Sequence, residues 1–219
     1  MEASFWHNRW QSNNIKGFHH TEANPVLVRH FPALALPKGS RVFVPLCGKS
    51  VDLPWLVSEG YRVAGAELSP LAVEQFFKEL GVEPTVKTQG ALQLFQAPSI
   101  DFYLGNIFDL TPELLGPIDA IYDRAALVAL PPDLRKRYTA HLLSLGGGVP
   151  QLLATYVYDQ TKTDGPPFSI SAAEVSQHYQ GRYRITQLSS ETVEGGLRGE
   201  TPATEEVWLL QRELAHGRR

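Results

Sequence analysis

Apolar residues recur along this chain with two periods, and the periods alternate in blocks. Residues 41–46 (RVFVPL) and 61–68 (YRVAGAEL) are short runs rich in β-branched and small apolar side chains, the pattern of strands buried in a parallel sheet. After the second run the period lengthens: Val73, Phe76, Phe77 and Leu80 fall at i, i+3, i+4 and i+7 behind Ser69-Pro70, with Gly81 as the stop. A helix between the two strands begins around residues 50–52, because Pro54 is tolerated only in a first turn, and ends near Gly60. Strand, helix, strand, helix at this spacing predicts right-handed crossovers and a parallel sheet.

The same reading continues downstream. Residues 100–105 and 118–122 form a third and a fourth strand, which run into Asn106-Ile107-Phe108-Asp109 and Asp123-Arg124. Pro132-Asp133 opens a helix with Leu134, Tyr138, Leu142 and Leu145 on one face, stopped by Gly146-Gly147-Gly148, and residues 152–158 form a fifth strand. Ser171 and Glu174 make a capping box for a short helix. Residues 183–188 and 206–211 then read as strands joined only by the polar, glycine-rich stretch 189–204, which predicts an antiparallel pair. The fold class is therefore α/β: a Rossmann-like, doubly wound mixed sheet with a C-terminal antiparallel hairpin at its edge.

Ahead of the first strand lies a segment of different character. Phe5, Trp6, Trp10, Phe18 and Phe31 are many aromatics for a stretch without a strand, and residues 1–24 show no sustained helical or strand period. Val26, Leu27, His30 and Phe31 do fall at helical spacing after Asn24-Pro25. With no linker-like composition anywhere, the chain reads as a single domain over residues 1–219, in which residues 1–39 form an N-terminal cap or lid on an α/β core of residues 40–219.

Composition narrows the class of function. A 43% apolar and 20% charged chain of net charge −3 is an ordinary globular protein, and nothing in that balance argues for nucleic acid or an anionic membrane. The single cysteine, Cys47, excludes internal disulfides and multi-cysteine zinc sites. The start is too polar and aromatic for a signal peptide, and no run approaches the ~18 apolar residues of a membrane span. A cytoplasmic monomer acting on a small molecule is expected.

Candidate chemistry gathers at the predicted strand ends. The turn Cys47-Gly48-Lys49-Ser50 lacks the first glycine of a P-loop, whose place is taken by Phe43, and lacks the spaced glycines of a dinucleotide fingerprint. The ligand it implies has no phosphate to hold. Glu67 follows Gly48 by 67 − 48 = 19 residues, close to the ~20 at which an acid meets ribose hydroxyls; the competing role is a favourable acid at the N-terminus of the next helix. Asn106 and Ile107 offer an amide and an apolar face to an adenine-like ring, or simply form a turn. Arg124 offers a cation to an anionic group, or pairs with a neighbouring acid. Cys47 has no assignable partner and reads as an inert buried thiol. His7, His19, His20, His30, His141 and His178 show no metal-site spacing, so no metal is expected.

The stretches WQSNNIKGF (residues 10–18), VFVPLCGKSVD, GAELSPLAVEQFF, GNIFDL, YDRAALVALP and GPPFSI, in this order, resemble the thiopurine S-methyltransferase family, and the likeness fades after Ser171. The strand arrangement is by analogy that of the class I S-adenosylmethionine-dependent methyltransferases. The resemblance implies S-adenosyl-L-methionine as cofactor, with Trp10, Leu46, Glu67, Asn106, Ile107 and Arg124 lining its site. It further implies Phe18 and Arg198 on the substrate side, Arg124 as the catalytic group, and small aromatic or heterocyclic thiols as substrates, with selenium and tellurium compounds as further candidates. A nicotinamide-dependent oxidoreductase and a non-catalytic metabolite-binding module are the alternatives on the same fold.

Overall fold

A computed structural model of the chain describes residues 3–15, 17 and 20–213. The chain builds a sheet in the order β3-β4-β5-β2-β1-β6-β7-β9-β8. Its middle is parallel: β1 (Arg41–Pro45), β2 (Arg62–Glu67), β5 (Ile100–Leu104), β6 (Ala120–Arg124) and β7 (Gln151–Tyr158). The fifth parallel strand is followed, as expected, by an antiparallel hairpin, β8 (Tyr183–Thr192) and β9 (Ala203–Arg212), with β9 laid against β7.

Period-two alternation assigns each central strand residue to one face. Phe43, Ala64, Ala66, Tyr103 and Ile121 point to one apolar layer, and Val42, Val44, Val63, Ile100, Phe102 and Tyr122 to the other. Helices α5 (Pro112–Leu115), α6 (Pro132–Gly146) and α7 (Ala172–Tyr179) close the first layer through Leu115, Tyr138, Leu142 and Val175. Helices α2 (Pro25–His30), α3 (Asp52–Ser58) and α4 (Pro70–Leu80) close the second through Leu27, Leu53, Leu56, Val73, Phe76 and Phe77. Both faces are therefore covered, which is why the strands read as almost continuous apolar runs. Phe43 is fully buried at the centre of the sheet. Truncating such a phenylalanine to alanine typically costs about 3–5 kcal/mol.

Two features depart from the sequence reading. Residues 3–11, expected to lack a helical period, form α1 (Ala3–Gln11): Trp10 is buried against Ile15 and Ala72, and Ala3, Trp6 and Trp10 share one side. The spacing of those three residues is helical, but polar residues on the other face mask it. A hairpin of β3 (Thr85–Gln89) and β4 (Leu92–Ala97) extends the sheet beyond β5, antiparallel. Its signal is the alternation LQLFQ after Gly90, which takes positive φ (62°) in the two-residue turn. Helix α3 begins at Asp52, within the expected bounds, with Val51 at the N-cap position and Ser50 Oγ accepting the Asp52 N–H at 3.1 Å.

Beneath the helices lies a fully buried acid. Asp123, fully enclosed at the end of β6, accepts the Leu127 N–H through Oδ1 (3.0 Å) and the Tyr138 hydroxyl through Oδ2 (2.8 Å). Burial pushes its carboxyl up to about 6, although these hydrogen bonds pull the other way. A group whose native pKa is raised binds its proton more tightly folded than unfolded, so its contribution to stability is present below the unfolded value near 4 and is lost as the pH rises through about 6. Asp123→Asn removes that titration while keeping the side chain's shape. The stability difference between variant and wild type should shift in the variant's favour by about 2 kcal/mol between pH 4 and pH 7, measured by urea unfolding across that range; a flat difference would refute the raised carboxyl.

Candidate functional site

The carboxyl ends of β1, β2, β5 and β6 converge on a cavity of about 310 Å³. The strand order reverses between β1 and β6, and open α/β sheets bind ligands at such a switch point. The cavity is bounded by Leu46, Cys47, Gly48 and Asp52 after β1, Glu67 and Leu68 after β2, Asn106, Ile107 and Phe108 after β5, and Arg124 and Ala125 at the end of β6. Trp6 and Trp10 roof it from α1, and Leu134, Arg137 and Tyr138 close it from α6.

The turn after β1 leaves the strand abruptly. Leu46 takes φ +47° and Gly48 φ +55°, and the Cys47 N–H donates to the Ala66 carbonyl (3.0 Å), so the chain folds over the end of β2. A Cβ on Gly48 would stand 3.2 Å from Trp10 Cζ2, so this glycine serves both the left-handed backbone and the close seat of the tryptophan. Ala125, just past Arg124, is likewise left-handed at φ +64°. Lys49, the cation of the half P-loop pattern, is held by Glu79 of α4.

Glu67 braces two turns at once. Its Oε2 accepts the Gly48 N–H and its Oε1 the Ser69 N–H, each at 2.8 Å, at 7% exposure. Burial raises its pKa, and the bonds to Ser69, Gly48 and Leu68 oppose the rise. The carboxylate keeps lone-pair capacity for a donor in the cavity. Burial, reinforced by Glu67, pushes the Cys47 thiol well above its ordinary value and leaves it un-ionised.

The Asn106 side chain accepts the Phe108 N–H (3.1 Å) and so caps the turn after β5, while Ile107 is buried and its carbonyl meets His141 Nε2 at 2.7 Å. The Arg137 guanidinium lies 3.8 Å from the Phe108 ring centroid. Around Arg124 stand Tyr156, Tyr122, Asp52 and Glu205: burial alone would lower the guanidinium, but these neighbours hold it above its ordinary value. Tyr156 is pushed up to about 12, first by burial and then by Glu205, against the pull of Arg124. Arg124 also reaches His20, with Nη2 2.8 Å from its Nε2.

The expected residues Trp10, Leu46, Glu67, Asn106, Ile107 and Arg124 thus line one cavity. Arg198 does not line it; exposed in the loop between β8 and β9, it donates to the Pro166 carbonyl (3.2 Å). Phe18 lies outside the described residues. Asp52, Tyr122 and His20, which bracket Arg124, had no role in the sequence reading. In the sequence only the place of Asp52, two residues past Ser50 at a helix start, hinted at the first; Tyr122 shares a strand with Arg124, and His20 comes to it through tertiary packing. Among the described residues, no group of three or more His, Cys, Asp or Glu side chains is placed to hold a metal ion.

The family whose sequence model matches residues 1–213 is described as Thiopurine S-methyltransferase (TPMT). The thiopurine S-methyltransferase of Xanthobacter autotrophicus (strain ATCC BAA-1158 / Py2) is 54% identical over 212 residues, covering 97% of this chain and 100% of that protein. The one from Gluconobacter oxydans (strain 621H) is 53% identical over 206 residues, covering 94% and 93%. Among solved structures, the Burkholderia thailandensis 1,6-didemethyltoxoflavin-N1-methyltransferase with bound S-adenosylhomocysteine superposes with a TM-score of 0.63 at 13% identity, covering 95% of this chain and 87% of that one. The magnesium protoporphyrin IX methyltransferase of Synechocystis PCC 6803 gives 0.64 at 12%, covering 95% and 99%. At these identities the structures show a shared fold.

Glu67→Gln replaces one acceptor oxygen by a donor facing a backbone N–H. One of the two turns it braces then loses its bond, and leaving a buried donor unsatisfied costs about 1–3 kcal/mol. Urea unfolding should show a loss of that size; wild-type stability would mean that these turns hold without the carboxylate.

Proposed function

The chain belongs to the thiopurine S-methyltransferase family of S-adenosyl-L-methionine-dependent methyltransferases, and on that premise we propose that it methylates small aromatic or heterocyclic thiols in the cavity at the β1/β6 switch point. The observation that carries the proposal is the convergence of Glu67, Asn106, Ile107 and Arg124 from separate strand ends on the Leu46–Gly48 turn under Trp10. Selenium and tellurium compounds are further candidate substrates, since they attack as anions of the same kind.

The residues present fit the cofactor. The lone pairs left on Glu67 suit the paired hydroxyls of a ribose, Ile107 presents a buried apolar face beside the capped Asn106, and no residue of the Leu46–Gly48 turn is arranged for a phosphate. When bound, S-adenosyl-L-methionine supplies an electrophilic methyl group on a sulfonium. Trp10 and Trp6 keep water from the reacting groups, and aromatic faces tolerate a cation. Displacement at methyl consumes charge and calls for alignment and desolvation more than for a general base. Arg124, kept charged by its neighbours, holds negative charge on a thiolate or on the cofactor's carboxylate. On this reading residues 1–39 cap the core, with Phe18 on the substrate side, while Arg198 stays in the hairpin loop outside the cavity lining. The protein acts as a monomer with no macromolecular partner.

A thermal-shift panel tests the reading: S-adenosylhomocysteine should raise the melting temperature and NAD should not. Stabilisation by NAD alone would replace the proposal by an oxidoreductase, and S-adenosylhomocysteine binding without methylation of any thiol would leave a binding module. Glu67→Gln should weaken S-adenosylhomocysteine about 10- to 150-fold by calorimetry, the range for losing a charge-assisted bond. Arg124→Lys keeps the charge but loses the planar fork, so thiol turnover should fall well beyond any change in stability. Wild-type kinetics in the folded variant would return Arg124 to a structural ion pair.

A further inference from the structure

Asp52 opens α3 in the wall of the cavity and is 3% exposed. An acid in the first turn of a helix is favoured by the helix dipole, but that role asks for neither burial nor partners outside the helix. Asp52 has both. Its Oδ1 accepts the backbone N–H of Asn24 at 2.8 Å, and its Oδ2 accepts the Tyr122 hydroxyl at 3.2 Å. Asn24 is itself fixed, because its side chain caps α2 by accepting the Val26 N–H at 2.8 Å. It stands where the N-terminal stretch runs into α2. Tyr122 stands two residues before Arg124 on β6, so strand alternation puts the two side chains on one face. The charge of Asp52 acts on Arg124 as well. The N-terminal segment is tied a second time nearby, where His20 meets Arg124.

Resting on the methyl-transfer reading of the same cavity, we propose that Asp52 is a positioning residue: its carboxylate fixes the arginine-bearing end of β6 against the base of the N-terminal cap, so that cap and cavity wall are held as one unit during turnover. A serine or asparagine here could accept one of the two bonds, whereas a carboxylate accepts both and faces the arginine with the opposite charge. Asp52 touches no reacting atom in this account; it acts through Tyr122, Asn24 and Arg124.

The test uses the full chain. Wild-type binding of S-adenosylhomocysteine comes first, since its absence would remove the methyl-transfer reading itself and not this inference. Given that binding, Asp52→Asn should lower kcat/KM for S-adenosyl-L-methionine with an aromatic thiol by at least about tenfold, as expected for losing a bond to a charged acceptor. Amide exchange should quicken in residues 3–15 and 20–24 while the amides of β1, β2 and β5 keep their wild-type rates. Faster exchange confined to α3, with kcat/KM unchanged, would overturn the proposal in favour of a helix-terminal acid. Tyr122→Phe removes a single oxygen and decides the matter even where Asp52→Asn does not fold. It should lower kcat/KM about threefold or more while cap exchange stays as in wild type, since the Asn24 bond survives. Wild-type kinetics in a folded Tyr122→Phe protein would overturn the proposal.

Discussion

The cavity exists because one carboxylate satisfies two backbone donors that the strand ends leave exposed. Gly48 and Ser69 both turn their N–H groups inward at the mouth of a parallel sheet, where no strand is left to pair them, and Glu67 takes both. Without it these donors would be buried and unmatched, at about 1–3 kcal/mol each. The bonds also fix the spacing between the turn after β1 and the start of α4. The seat of Trp10 on Gly48 and the roof that α1 forms depend on that spacing in turn. A residue suited to recognising a ligand is thus already committed to the fold, and its remaining lone pairs are held in place by that commitment.

A second constraint is charge. Taking Arg124 and Asp52 out of water is unfavourable unless each finds opposite charge and hydrogen bonds. The structure meets this by placing the acids Asp52 and Glu205, with Tyr122 and Tyr156, around the arginine. Asp123, one residue earlier, faces the opposite apolar layer, where burial outweighs its bonds from Leu127, Tyr138 and Ala126, so its carboxyl rises instead. Neighbouring residues on one strand therefore meet opposite electrostatic fates, because alternation sends them to opposite faces.

The parallel core was legible because burial on both faces writes itself into the sequence as apolar runs, and because Pro54, Pro70 and Gly81 punctuate the helices between them. The strand-end residues Leu46, Glu67, Asn106, Ile107 and Arg124 could be located by the same logic, since ligands gather where such strands stop. What stayed hidden obeys weaker local rules. The β3–β4 hairpin lies largely exposed, so its alternation carries little apolar contrast. Helix α1 hides a three-residue apolar stripe among polar neighbours. Asp52 and His20 come to Arg124 only through contacts between segments distant in sequence, and Tyr122, its neighbour on β6, is tied in through its bond to Asp52.

The two non-glycine residues that flank the switch point show how the site is held open. Leu46 and Ala125 both adopt positive φ where β1 and β6 end, a conformation that costs a side chain about 1–3 kcal/mol and persists only when its surroundings over-determine it. Around Leu46 the surroundings are the Cys47 bond to Ala66 and the Glu67 bond to Gly48. Beyond Ala125 they are the Asp123 bond to Leu127 and the enclosed side chains of Ala126 and Leu127. Neither strand can therefore run straight on, and the two chains part on either side of the cavity. A glycine-rich loop would open the same space by giving up side chains, as phosphate-binding turns do. Here the opening is lined by Leu46 and Ala125 themselves, which gives the cavity an apolar wall.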